Sequence, residues 1–210
     1  MVIIGLTGPT GAGKGVFARV AAKEFHALHI DTDKLAREVV EPGKPCLAAL
    51  VDRFGKDILL PDGSLDRKAL AGIVFSDKEK LAFLNAVTHP AITKEVEKQL
   101  ALARQENLPY AVIDAPLLFE SGENRICDVT VGVLADEKTR LERILARDGI
   151  DREAAEKRLA SAKDAAYFKN NCDIILQNDG STAEFEQEIR LFFAALQKEK
   201  MAIRKSEANA

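Results

Sequence analysis

The first fifteen residues constrain the fold of this chain more than any other segment. An apolar run at residues 2–7 leads into the glycine-rich residues 8–15 and then into a helical pattern. A buried strand, a glycine turn and a helix N-terminus together aim backbone N–H groups at one point, where the positive end of the helix adds to them. The segment is therefore predicted to be a phosphate-binding loop.

Lys14 supplies a full positive charge at the spacing of a Walker A motif, in which Gly8 and Gly13 frame four residues. The motif normally ends in Ser or Thr, whose hydroxyl binds Mg²⁺, but this chain has Gly15 there. The alternative is a simple strand-to-helix turn. The phosphate loop is favoured because a strand precedes it and an amphipathic helix follows, with its apolar stripe at Phe17, Val20, Ala21 and Phe25.

Short apolar runs alternate with amphipathic stretches along the rest of the chain. This alternation predicts an α/β fold with a five-stranded parallel sheet flanked by helices, the strands lying near residues 2–6, 28–31, 110–114, 128–133 and 173–176. The gap between the second and third strands is too long for one crossover helix, and we expect several helices with breaks at Pro42-Gly43, Pro61-Asp62-Gly63 and His89-Pro90. A single domain is expected, with a helical substrate-binding insertion at about 34–106, a helical lid at about 136–170, and a frayed end at 200–210.

Composition excludes several classes of partner. A net charge of -3 and a pI near 5.7 disfavour a nucleic-acid or membrane-surface binder, which would need excess Lys and Arg. No apolar stretch approaches the ~20 residues that span a bilayer, and the first strand leaves no room for a signal peptide. We expect a cytoplasmic protein with no nucleic-acid or membrane partner, whose Cys46, Cys127 and Cys172 are reduced and structural.

Carboxylates follow two of the predicted strands. Strand alternation places Asp31 and Asp33 on one face at the carboxyl end of the sheet, where a carboxylate can accept a hydroxyl proton or orient Mg²⁺. Asp114 ends an apolar strand and resembles a Walker B acid, which acts on Mg²⁺ through water. The alternatives are a helix cap at Asp33 and a turn cap at Asp114.

Further sequence blocks resemble the dephospho-CoA kinase family, in the family's order and spacing, over about residues 2–195. They lie at residues 36–43, 54–59, 62–67, 74–75, 89–92 and 114–120. The Asp-Gly-Ser-Leu-Asp-Arg and Pro-Leu-Leu-Phe-Glu blocks are far more specific than a phosphate loop. The resemblance implies a P-loop kinase core that uses ATP, with Mg²⁺, to phosphorylate the ribose 3′-hydroxyl of dephospho-CoA, the last step of coenzyme A synthesis.

The resemblance also implies roles for single residues. Asp33 is implied as the general base, with Lys14 and Arg143 as the other catalytic residues. The implied nucleotide-binding residues are Gly11, Ala12, Gly13, Lys14, Gly15, Val16, Arg147 and Asn178. The implied substrate-binding residues are Asp31, Asp33, Arg37, Arg67, His89, Asp114 and Leu117, and Asp31 and Asp114 are the implied contacts to Mg²⁺ and its water shell.

Several of these roles have structural alternatives. Arg37 and Arg67 could be surface charges, His89 could cap a helix, and the arginines at 140, 143 and 147 could form a solvated basic face. The chain also departs from the family pattern at Gly15, at Ala162 and at residues 165–167, Ala-Ala-Tyr. We expect a weakened metal or ATP site in an active enzyme, because Mg²⁺ relies largely on water and substrate phosphates.

Two other functions stay open. One is another nucleoside or nucleotide P-loop kinase, and the other is a catalytically silent nucleotide- or CoA-binding regulator. Retention of Lys14, Asp31 and Asp33 counts against the silent regulator. The expected partners are the small molecules ATP and dephospho-CoA, and the expected state is a monomer or a weak homo-oligomer.

Overall fold

The computed structural model of the protein describes the backbone of residues 1–208 and the side chains of residues 1–198. The chain forms two compact units. One contains Met1–His29 and the chain from Asn107 onward, and the other is Ile30–Glu106. The second unit overlaps the predicted insertion, whose role in CoA binding stays a prediction. The expected fraying at 200–210 lies outside the residues whose side chains are described.

The sheet has the five strands that the sequence predicts. They are β1 Val2–Thr7, β2 Ala27–Asp31, β3 Tyr110–Asp114, β4 Val129–Leu134 and β5 Ile174–Gln177, in the order β2-β3-β1-β4-β5. Central β1 pairs in parallel with β3 and with β4, and β4 pairs in parallel with β5. This confirms the α/β class. Parallel pairing brings the carboxyl ends of the strands to one edge, where ligands of such sheets bind.

The helices follow the amphipathic stretches. In the described backbone they are α1 Lys14–Phe25, α2 Thr32–Glu38, α3 Pro45–Phe54, α4 Arg67–Val74, α5 Lys78–Gln105, α6 Glu137–Asp148, α7 Arg152–Ala160, α8 Ala165–Asn171 and α9 Thr182–Ala208. Short 3₁₀ turns lie at Lys56–Ile58 and Glu123–Ile126. From Met1 to Ala208, none of the helices combines the length and apolarity that crossing a membrane requires.

Aromatic packing fixes α1 against α9. The Phe17 ring centroid lies 5.6 Å from that of Phe192 and 5.8 Å from that of Phe193, and the Phe25 ring stacks on Phe193 at 4.1 Å. Each buried aromatic ring removes a large apolar area from water, which makes this cluster a main source of stability in the unit. The N-terminus of α1, which ends the glycine loop, is thereby held in place.

The second unit has its own core, and one sequence expectation about it is wrong. Helix α5 does not break at His89-Pro90 but runs through Pro90 as a single helix of 28 residues. Proline removes one backbone donor, which costs a helix stability. Val87 and Ala91, on either side, pack against the buried core that contains Leu50 and Val74, and this packing offsets the loss.

A buried carboxyl lies between β3 and β4. Glu123 is 3% exposed, and its Oε2 atom makes no hydrogen bond with the described residues. Burial raises the pKa of this carboxyl to about 7, while its own backbone N–H opposes the shift. Burial, with the charge of nearby carboxylates, also raises the pKa of the neighbouring Cys127 thiol to about 12, so that thiol stays protonated and unreactive at neutral pH.

The raised pKa of Glu123 makes stability depend on pH. Because the folded chain holds this proton more tightly than the unfolded chain, its contribution is complete below about pH 4.5 and is lost as the pH rises through 7. The shift corresponds to roughly 3 kcal/mol. In urea unfolding, Glu123→Gln should gain stability relative to wild type between pH 5 and pH 8. Glu142→Gln, on the exposed face of α6, is the control; equal pH dependence of wild type and Glu123→Gln would contradict the prediction.

Candidate active site

Residue 13 has a backbone conformation that favours glycine. Gly13 is the N-cap of α1 with φ 110° and ψ 17°, in the left-handed region. The side-chain amide of Asn178 packs so closely against its Cα that an added Cβ would overlap Asn178 Nδ2. The conformation turns the chain from the loop into α1, so that the N–H groups of the first helical turn face outward.

The N-terminus of α1 is prepared for an anion. Among the described residues no side chain caps it, and its first turn contains no acidic residue. The helix end therefore keeps the full positive potential of its backbone N–H groups. Lys14 adds a charge beside them, and its Nζ donates to the Gly8 carbonyl at 2.8 Å. A polyphosphate has the charge and the acceptor oxygens that such a site binds.

Arg143 and Asn178 form hydrogen bonds with the backbone of the phosphate loop. Asn178 is 3% exposed, and its Nδ2 donates to the Ala12 carbonyl at 2.8 Å. Arg143 donates to the Asn178 carbonyl at 3.0 Å, to Asn178 Oδ1 at 3.1 Å, and at 3.5 Å and 3.4 Å to the carbonyls of Ala12 and Gly180. The two predicted site residues therefore meet at the loop, where they support its backbone.

The other two arginines of α6 differ in their surroundings. Arg140, which sequence reasoning did not select, donates from Nε to the Thr10 carbonyl at 2.9 Å. One of its terminal nitrogens is buried without a hydrogen bond to the described residues, and burial lowers the pKa of the guanidinium. Arg147 instead pairs with Asp148 at 2.7 Å on an exposed surface. Only the helical spacing of the three arginines could have pointed to Arg140.

Asp114 ends β3 with a neighbour that sequence reasoning missed. Its Oδ2 atom lies 3.6 Å from Nε2 of His29 on β2, and its side chain is 17% exposed. No cluster of three or more His, Cys, Asp or Glu side chains in the described part of the chain could hold a metal. One carboxylate still fits Mg²⁺, which binds through one or two carboxylates together with substrate phosphates.

In the second unit, Asp31 and not Asp33 caps α2, and its Oδ1 accepts the Lys34 N–H at 3.0 Å. The capping alternative for Asp33 is therefore wrong: Asp33 is the second residue of the helix, in its first turn, and its side chain is exposed. Arg37 is exposed in the last turn of α2.

The remaining predicted substrate residues lie on separate elements. Arg67 is the exposed first residue of α4, which Asp66 caps. His89 lies half-buried inside α5, so it caps no helix. Leu117 follows β3 in the first unit and is 55% exposed. Contacts of these side chains with a substrate stay predictions.

Gly15 has no structural reason to be glycine. Its φ lies outside the left-handed region, and an added Cβ would meet no atom within 4 Å. Packing therefore did not select the departure from the Walker A motif, and a hydroxyl would fit at this position.

Known proteins resemble this chain along most of its length. The profile of the Dephospho-CoA kinase family matches residues 2–184. A Dephospho-CoA kinase of Geobacter sulfurreducens is 40% identical over 92% of this chain and 98% of its own. Among solved structures, TT1252 from Thermus thermophilus has 30% identity and a TM-score of 0.72 over 93% of this chain and 97% of its own. Dephospho-CoA kinase from Campylobacter jejuni has 29% identity and a TM-score of 0.69 over 94% and 98%.

Two glycines of the loop should respond oppositely to alanine. Gly13→Ala should lower the free energy of unfolding by at least about 1–3 kcal/mol, because a left-handed φ and the Asn178 amide oppose a Cβ. Gly15→Ala should leave it unchanged or raise it by up to about 1 kcal/mol, since alanine favours a helix. Urea unfolding of both variants measures the difference; equal stability would refute this account of the loop.

Proposed function

The chain belongs to the dephospho-CoA kinase family, and we propose the residues with which it phosphorylates dephospho-CoA in coenzyme A biosynthesis. The donor is ATP, and the acceptor is the ribose 3′-hydroxyl. The observation that carries the proposal is the uncapped N-terminus of α1 beside Lys14, in a chain 40% identical to a named relative over 92% of its length.

The phosphate loop binds the triphosphate of ATP. Residues 11–16 supply backbone N–H groups, and Lys14 supplies the charge that offsets the β- and γ-phosphates. The Lys14 ammonium donates to the Gly8 carbonyl, which keeps it beside the loop. A hydrogen bond from this ammonium to a charged phosphate oxygen is stronger than one to a neutral carbonyl.

Asp33 is the proposed general base. Its place in the first turn of α2 leaves the carboxylate exposed, while Asp31 takes the capping role. A carboxylate that accepts the 3′-hydroxyl proton makes the oxygen a better nucleophile for in-line transfer. Arg37, Arg67 and His89 are proposed to bind the anionic acceptor in the same unit, where cations suit a pyrophosphate.

Asp114 and Asp31 are proposed to hold Mg²⁺ through its water shell. When bound, Mg²⁺ neutralises charge that develops on the phosphates during transfer. The Oδ2 atom of Asp114 has Nε2 of His29 as a neighbour at 3.6 Å. Gly15 contributes no hydroxyl, so the phosphates and these carboxylates account for the remaining ligands.

Arg143 and Arg147 have different proposed roles. The four acceptors of Arg143 favour a role in which it holds the phosphate loop in its binding shape, so that the backbone donors meet the developing charge. Contact of Arg143 with the transferring phosphoryl group requires it to leave some of these acceptors. Nucleotide contact by Arg147 likewise requires it to leave Asp148.

The cellular setting proposed for the enzyme follows from its chemistry. A net charge of -3 and small-molecule substrates suit a cytoplasmic monomer or weak homo-oligomer without a nucleic-acid or membrane partner. The alternatives are a kinase for another nucleoside or nucleotide and a silent CoA-binding regulator. Family membership over residues 2–184 disfavours both.

A coupled assay of ADP release tests the function directly. With ATP as donor, dephospho-CoA should give turnover at least about tenfold above adenosine or nucleoside monophosphates, because acceptor binding positions the hydroxyl. Faster turnover of a monophosphate would favour the second kinase. Binding without turnover of any acceptor would favour the regulator.

The role of Asp33 predicts a large kinetic effect. Asp33→Asn should lower kcat by roughly 10²–10⁴-fold, the usual contribution of a general base, with little change in ATP affinity. Steady-state kinetics and calorimetry measure both quantities. Asp57→Asn, an exposed aspartate in the same unit, is the matched control. A variant that retains more than about a tenth of wild-type turnover would remove Asp33 from this role.

The absent hydroxyl at residue 15 predicts a high Mg²⁺ requirement. Gly15→Ser should lower the Mg²⁺ concentration for half-maximal rate without loss of stability, because the added side chain meets open space. Gly15→Ala makes the same backbone change without a ligand and should leave the Mg²⁺ dependence as in wild type. If serine and alanine give the same dependence, the hydroxyl is irrelevant to metal binding.

A further inference from the structure

Helices α6 and α7 form a hairpin with a small core of its own. Ile144 on α6 is fully buried against Ala155 and Leu159 on α7. Asp148, at the end of α6, also accepts Arg158 of α7 in an ion pair. Because these contacts lie within the hairpin, it can move as one body. Its attachments are its two chain connections and Arg143 of α6, which is bonded to Asn178 beside the phosphate loop.

The first connection is fixed at the phosphate loop. Arg140, in the first turn of α6, donates to Thr10, and the backbone N–H of Asp136 donates to Asp179 Oδ1 at 2.6 Å. The second connection is residues 161–164, between α7 and α8. Nothing in the proposed mechanism uses this end of the hairpin.

The second connection meets the turn that follows β3. The Tyr167 hydroxyl donates to Glu120 Oε1 at 2.9 Å, and Lys163 Nζ lies 3.8 Å from the same atom. Lys163 Nζ also lies 5.0 Å from the centroid of the Tyr167 ring. A phenol and an ammonium from the hairpin side thus converge on one carboxylate, and the ammonium also contacts the ring face, where a cation is favoured.

Aromatic contacts hold the Tyr167 ring in place. Its edge-to-face partners are Phe119, at 6.3 Å between centroids, and Phe168, at 5.3 Å. Phe168 is 2% exposed, so the Tyr167 ring packs against a buried side chain of α8. Tyr167 also takes the capping bond of α8, since its N–H donates to Asp164 Oδ1 at 2.8 Å. The Tyr167 ring is therefore held in position while its hydroxyl contacts Glu120.

Glu120 lies in the segment that carries two proposed site residues. Asp114 ends β3, and Leu117, three residues before Glu120, is exposed. The Glu120 carboxylate thus links the turn that carries these two residues to the chain that leaves the hairpin.

We propose that Tyr167, Lys163 and Glu120 form a latch that fixes the second end of the α6–α7 hairpin, and that Tyr167 is a positioning residue for closure over ATP. The proposal rests on the proposed kinase function, since closure has a purpose only with a bound nucleotide. With both ends held, the hairpin moves about a defined axis, and a larger fraction of molecules is ready to close.

Hydrogen–deuterium exchange and nucleotide binding test the latch without turnover. Tyr167→Phe removes only the hydroxyl and should speed amide exchange at residues 150–164 and weaken ATP binding about three- to tenfold by calorimetry, as the ready fraction falls. Glu120→Ala, which removes the acceptor, should do the same, and the double variant should be no worse than either single one. Ser161→Ala, which removes a hydroxyl of the same connection that donates to the Arg158 carbonyl of α7, should match wild type.

Steady-state kinetics separate positioning from chemistry. In Tyr167→Phe, KM for ATP should rise, whereas kcat should stay within about twofold of the wild-type value, because saturating ATP restores the closed hairpin. Unchanged exchange and unchanged ATP affinity in Tyr167→Phe, or additive effects in the double variant, would overturn the latch. A wild-type enzyme inactive with dephospho-CoA but with the exchange difference intact would overturn the proposed function and leave the latch standing.

Discussion

The phosphate loop depends on one close approach, between the backbone of Gly13 and the side-chain amide of Asn178. The approach leaves no room for a Cβ and holds residue 13 at φ 110°. The same amide donates to Ala12 and accepts from Arg143, so one buried side chain contacts both the phosphate loop and α6. A polar group this deeply buried is stable only when its hydrogen bonds are made, which ties the loop to the sheet edge.

Two basic residues near the phosphate loop have different surroundings. Arg143 gives its donors to backbone carbonyls and to Asn178, whereas Lys14 lies beside the uncapped helix end and donates to the Gly8 carbonyl. Supporting charges placed behind a loop keep its N–H groups aimed without occupying the ligand's place. The hairpin of α6 and α7 adds a movable part, attached to the loop at one end and to Glu120 at the other.

Gly15 and Tyr167, two departures from the family pattern, differ in their structural surroundings. Gly15 faces open space, so packing does not require glycine there. Tyr167 contacts Glu120, Phe119 and Lys163. The two positions therefore differ: a side chain at residue 15 would meet no neighbour, whereas the side chain at residue 167 is held by several.

The sequence by itself determined the α/β class, the strands and the phosphate loop, because these depend on local periodicity and on glycine and lysine at fixed spacing. It also pointed to Asp33 and Asn178 through motif position. Only the tertiary structure decided that Asp31 caps α2, that Pro90 lies inside α5, and that Arg143 holds the loop. Each of these depends on partners distant in the chain or on competition between neighbours for one hydrogen bond, which no local pattern encodes.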